Sequence, residues 1–129
     1  MSTRWSGPLG AAMAGLAAFR ITLGAASWIA PGRLARAYGI PDDRLTPELE
    51  YMTRVFGVRA VALGVGYLAS SGEARRLWHR LWLLCDAADT VMGAGMLASG
   101  RLSPERGAAA LATTAPAMAL DVAAFSAGR

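Results

Sequence analysis

The sequence predicts an all-α fold, a transmembrane four-helix bundle, and three observations point there. Helix start and stop signals divide the chain into four segments of nearly equal length. Within these segments the apolar runs carry no charge recurring every turn, as an amphipathic soluble bundle would need. The composition is 54% hydrophobic against 17% charged, with a mean hydropathy of +0.35, well to the oily side of soluble chains. A length of 129 residues suits one domain, and a single four-helix membrane domain over 1–129 is expected.

The first helix is expected over about 8–30. It opens at Pro8 and stops at Pro31-Gly32, because proline cannot continue a helix and glycine follows readily in a turn. The stretch from Leu9 to Ala30 is longer than the apolar core of a secretory signal and carries Arg20 near its middle, so a retained helix is expected, not a cleaved leader. The second helix, over 47–70, starts at Thr46-Pro47-Glu48, which supplies an N-cap oxygen, a proline at the first helical position and an acid in the first turn. Gly72 closes it. A third helix over 73–99 ends at Gly100, and Ser103-Pro104-Glu105 repeats the capping chemistry to open a fourth over 104–127. Each is roughly 23 to 27 residues long, whereas about 20 suffice to cross a hydrocarbon core and soluble helices average about 11 to 12. In the first loop, Arg33-Leu34-Ala35-Arg36-Ala37-Tyr38 is expected to form a short helical turn lying in the membrane interface.

Aromatic and small residues fit the same scheme. Trp5, Tyr67, Trp78 and Trp82 would gather at one membrane boundary and Trp28 with Tyr51 at the other, the usual place for amphipathic rings. Gly57, Ala60 and Gly64 on the second helix, and Ala94 and Ala98 on the third, each share a helix face that would let a neighbouring backbone approach closely. The fourth helix is rich in alanine and contains Pro116 and Asp121, so its insertion depends on packing against the other three.

All 13 basic residues are arginine, and the net charge is +4. That excess is small and dispersed, so no nucleic-acid partner is expected; arginines flanking apolar segments contact acidic lipid headgroups instead. Five arginines fall on the side of the termini (Arg4, Arg75, Arg76, Arg80, Arg129) and five on the other (Arg33, Arg36, Arg44, Arg101, Arg106). The positive-inside rule therefore ties, and the acids around the first loop (Asp42, Asp43, Glu48, Glu50) tip the expectation towards cytoplasmic termini. A single cysteine, Cys85, removes a disulfide framework or a cysteine zinc cage and is expected to be a buried apolar filler. No metal and no cofactor are expected. His79, beside Trp78 and Arg80, reads as an interfacial side chain.

The charges inside the helices are the candidate site: Arg20 on the first, Arg59 on the second, Asp86 and Asp89 on the third, Asp121 on the fourth, with Arg54 at the boundary. A lone charge at the bilayer centre costs at least about 2.5 to 3.5 kcal/mol, so these groups should face inward and pair. At about 1.5 Å per residue, Arg20 lies roughly 17 Å deep, Asp89 roughly 12 Å, Asp121 roughly 10 Å and Asp86 roughly 7 Å. That arithmetic favours Arg20 with Asp89 or Asp121, and leaves Arg59 snorkelling to the opposite surface. Asp86 and Asp89, three apart, share a helix face. Either they neutralise arginines and fix helix register, or they line a polar cavity that binds a headgroup, relays a proton or holds a divalent ion.

Arg20-x-x-x-Gly24 with Trp28 and Pro31, Arg54-Val55-Phe56-Gly57-Val58-Arg59 with Leu63-Gly64, and Asp86-x-x-Asp89 together resemble a family of small four-helix bacterial integral membrane proteins catalogued as a domain of unknown function. That resemblance implies the fold and a bacterial inner-membrane location, and implies no activity. The first functional expectation is a non-enzymatic membrane protein, an accessory subunit beside other membrane subunits or a binder of a hydrophobic small molecule, with the lipid bilayer as its surroundings. A membrane enzyme or proton-coupled carrier built on the Arg/Asp cluster, and a soluble helical bundle, are the alternatives.

Overall fold

A computed structural model describes residues 7–127. Within them lie four long helices, α1 (Pro8–Ile29), α3 (Pro47–Ala69), α4 (Gly72–Ala98) and α5 (Pro104–Ala127), and a short one, α2 (Pro31–Ala37), followed by a 3-10 turn at Asp42–Arg44. All four long helices are long and apolar enough to cross a membrane. Their ends lie where the local chemistry puts them. Thr46 Oγ1 accepts the Leu49 amide at 3.2 Å, and Ser103 Oγ accepts the Arg106 amide at 3.4 Å, each relieving an orphan donor of a first turn. α4 closes at Gly100 in the left-handed region (φ 75), with the Gly100 amide donating to Leu97 O and the Arg101 amide to Met96 O. This two-bond C-terminal closure needs a residue without a Cβ penalty. The end of α2 repeats it at Gly39 (φ 78). α5 runs through Pro116 without a break.

The long helices form an antiparallel ring. α1 packs most extensively on α3 and α4 on α5, with lighter seams from α3 to α4 and from α1 to α5, so α1 and α4 occupy opposite corners. The α1–α3 seam is a backbone contact. A Cβ at Gly57 would stand 2.6 Å from Gly24 O, and one at Gly64 would stand 2.7 Å from Ala17 O. Only glycine permits so close an approach, and in lipid this approach substitutes for the hydrophobic drive that water would supply. On α4 the expectation fails: Ala94 and Ala98 are exposed, and the close contact with α5 is made by Gly107 of α5 under Leu97.

The packed core lies in the half of the bundle nearer the ends of the chain. It comprises Met13, Ala17, Leu63, Tyr67, Trp82 and Ala124. Tyr67 and Trp82 stack with ring centroids 4.5 Å apart, and Trp82 Nε1 donates to Leu63 O at 2.9 Å. Both rings are therefore core residues, not boundary residues, and Trp82 satisfies its polar edge inside the bundle. Trp78 is half-buried and lies over Gly66. Trp28 and Tyr51, in contrast, are 54% and 67% exposed at the other end. Trp5, Arg4 and Arg129 lie outside the described residues. Cys85 is half-buried beside the core, not fully enclosed.

Large apolar side chains point outward on every long helix, among them Phe19 and Ile29 on α1, Val58 and Val65 on α3, Leu84 and Val91 on α4, and Val122 on α5. A soluble bundle puts polar residues there; the chain is a multi-pass membrane protein.

Candidate ligand cavity and interior ion pairs

Two ion pairs stand one above the other, one buried in the bundle and one partly exposed. Arg20 Nη2 is hydrogen-bonded to Asp86 Oδ2 across the diagonal from α1 to α4, and lies 3.6 Å from Asp121 Oδ2 on α5. The Arg20 guanidinium also stacks over Trp82, with Cζ 4.5 Å from the ring centroid. Nearer the loop end, Arg59 Nη2 donates to Asp89 Oδ2 at 2.6 Å, linking α3 to α4, and lies over Phe56 at 5.4 Å.

These partnerships differ from the depth arithmetic in two respects. Asp89 belongs to Arg59, not to Arg20. Placing the first turns of α4 at the membrane boundary made Asp86 shallow; with Trp82 buried in the core, Asp86 moves inward to where Arg20 reaches it. Arg59, in turn, is paired with Asp89, its side chain 43% exposed. Side chains on a helix lean towards its N-terminus, so Arg59 on α3 leans towards the loop end and meets Asp89, one turn beyond Asp86. Arg54 does stand at an exposed position, where its Nη1 meets Glu50 at 2.7 Å and its Nε donates to Trp28 O at 3.1 Å.

His79 is buried, contrary to its interfacial reading, and its Nε2 lies 3.0 Å from Asp121 O and 3.6 Å from Asp121 Oδ1. The sequence offered a clue in the spacing from His79 to Trp82 and Asp86, which sets all three on one face of α4. Asp121 is 0% exposed, and neither carboxylate oxygen accepts a hydrogen bond. Arg20 alone thus stands between two buried carboxylates, those of Asp86 and Asp121. Among the described residues no group of three or more His, Cys, Asp or Glu side chains is arranged to hold a metal ion.

Above the ion pairs the bundle opens. A cavity of about 400 Å³ occupies the loop-end half, between α2, α3, α4 and α5. Its wall is mostly apolar and includes Met52, Phe56, Met92 and Met96, while Leu34, Ile40 and Leu102 stand at its outer end. Arg59 and Asp89 form its floor. A second space of about 40 Å³ continues inward, with Arg59, Asp89, Thr113 and Thr114 on one side and Arg20 and Asp86 on the other. The roof is tied down: Tyr38 Oη and Thr113 Oγ1 share a hydrogen bond of 2.8 Å, and Arg106 Nε donates to Gly39 O at 3.2 Å. Sequence reasoning overlooked the cavity; the spacing from Met92 to Met96, one helical turn along one face, was its visible trace.

The arrangement separates two tasks. Arg20 and Asp86 sit beside space for about one water and, with Asp121, join α1, α4 and α5. The Arg59–Asp89 pair instead faces a volume within the usual range of about 300 to 1,000 Å³ for ligand sites. No protein-family model, no curated protein and no solved structure matches the chain.

Proposed function

We propose that this chain is a bacterial inner-membrane protein of the small four-helix kind it resembles, and that it binds a hydrophobic small molecule in the loop-end cavity. One observation carries the reading: an open cavity of about 400 Å³, walled by methionines and Phe56, ends on a partly exposed ion pair. Apolar walls with a few convergent polar groups are the usual form of a small-molecule site, and methionine side chains adapt to irregular apolar shapes. The pinched space at Arg20 and Asp86 favours binding over a catalytic or carrier role for the deeper cluster, because nothing larger than about one water fits beside it.

The test is photolabelling of the full chain in lipid nanodiscs with a diazirine-bearing dodecyl alcohol. Labels are expected on the segments carrying Met52 and Phe56 and carrying Met92 and Met96, above the background on the outward Val58 and Val65. Ala110→Phe, which fills the cavity from α5, should lower cavity labelling at least tenfold and leave the outer background unchanged. Labelling confined to the outer residues would overturn the reading.

A further inference from the structure

The cavity floor also selects the kind of head group. Arg59 Nη2 and Asp89 Oδ2 are 2.6 Å apart, and their side chains are 43% and 27% exposed, so both remain reachable from the cavity. A guanidinium has five donors and a carboxylate about four lone-pair sites; their mutual hydrogen bond consumes one of each. A ligand arriving at this floor therefore meets a free donor and a free acceptor side by side. Thr114 also lines the cavity on α5, and its hydroxyl donates back to Ala110 O, leaving its oxygen as a further acceptor; the Thr113 oxygen is taken by Tyr38.

The charge around the floor is the second consideration. Arg59 and Asp89 cancel. Behind them, across the 40 Å³ gap, one guanidinium stands against two carboxylates, those of Asp86 and Asp121. Among the described residues only Arg59 and Asp89 line the cavity with charge, and Arg106 is held at the roof by Gly39 O, so an anionic head at the floor would lie in an apolar environment with no unpaired cation beside it. A cationic head would have to compete with Arg59 for Asp89, an oxygen already held at 2.6 Å. An uncharged group that both donates and accepts, such as a hydroxyl, completes the floor without displacing either partner. The outer end supports the same orientation, because Leu34, Ile40 and Leu102 suit an alkyl chain. The volume corresponds to about thirteen water-sized units of ~30 Å³, on the order of a medium-length chain with a small head.

We infer that the cavity takes an uncharged amphipath, a medium-chain alcohol or its like, with its hydroxyl bridging Arg59 and Asp89 and its chain running out between Met92, Met96 and Phe56. The inference rests on the cavity being a ligand site, and the experiment separates the two claims. Three diazirine probes with the same dodecyl chain and a hydroxyl, a carboxylate or an ammonium head are compared on the full chain in nanodiscs of uncharged lipid. Cavity labelling is expected to favour the alcohol at least tenfold over both charged probes. The paired change Arg59→Gln with Asp89→Leu, which removes the floor charges together, should erase that preference while labelling at Met92 and Met96 persists. Equal labelling by all three probes, or preference for a charged one, would overturn the head-group inference and leave the cavity reading standing. Absence of cavity labelling by every probe would overturn both. The wild-type comparison decides the matter even if the paired variant fails to fold.

Discussion

Replacing Arg20 by methionine is the sharpest perturbation of the interior. Methionine keeps an unbranched side chain and much of the packing against Trp82 but removes the charge. The structure then leaves Asp86 without the guanidinium it bonds and Asp121 without the charge 3.6 Å away. Breaking one buried pair costs about 3 to 5 kcal/mol. Losing the cation from over Trp82, 4.5 Å away, adds about 0.5 to 2 kcal/mol, and the apolar methionine returns part of this through packing. A net loss of about 4 kcal/mol is expected. It can be read from equilibrium unfolding in mixed micelles with rising dodecyl sulfate, followed by tryptophan fluorescence. A second variant carries the reasoning further: Arg20→Met together with Asp86→Leu and Asp121→Leu replaces the whole ionic group by apolar side chains, and such replacements are commonly neutral or stabilising. The triple change should therefore recover most of the lost stability. A single variant within about 1 kcal/mol of wild type, or a triple variant no better than the single, would refute the view that these charges hold one another.

Other consequences follow from the same geometry. Asp121→Asn should be neutral or stabilising by about 1 kcal/mol in the same assay, because neither Asp121 oxygen accepts a hydrogen bond and the change relieves two carboxylates crowded on one guanidinium; Asp86→Asn should cost about 2 kcal/mol, since it weakens the bond that Arg20 makes. Gly57→Ala should destabilise by about 3 kcal/mol, its Cβ meeting Gly24 O at 2.6 Å, whereas Gly15→Ala, with nothing within 4 Å, should stabilise by about 0.5 to 1 kcal/mol through helix propensity. Thr46→Ala should cost about 1 kcal/mol by removing the acceptor of the Leu49 amide, and hydrogen exchange should show that loss in the first turn of α3.

Helix boundaries were readable because their determinants are local. Pro31, the Thr46-Pro47-Glu48 cap, Gly100 and Ser103-Pro104 act within one turn of chain, and each ends or begins a helix within a residue of its expected place. The short helix after Pro31 was legible for the same reason. Gly57 and Gly64 marked the α1–α3 seam, since close backbone contact in lipid leaves small residues as its trace. What the sequence could not convey was the rotation and height of one helix against another. Trp82 and a boundary tryptophan look alike in one dimension, and taking it for the latter displaced Asp86 outward and assigned Asp89 to the wrong arginine. His79 was misplaced for the same reason: the group that occupies it, the Asp121 carbonyl, lies 42 positions away. The cavity is lined from α2, α3, α4 and α5 together, and only Met92 and Met96 hinted at it.

The outward apolar faces of the four long helices belong in lipid. Expression of the full chain, detergent-free fractionation and an alkaline carbonate wash of the membranes test that directly. The protein is expected to stay in the washed membrane pellet and to leave only with detergent; release into the carbonate supernatant would contradict a membrane-spanning bundle and turn the outward Val58, Val65, Leu84 and Val91 into the surface of some other assembly.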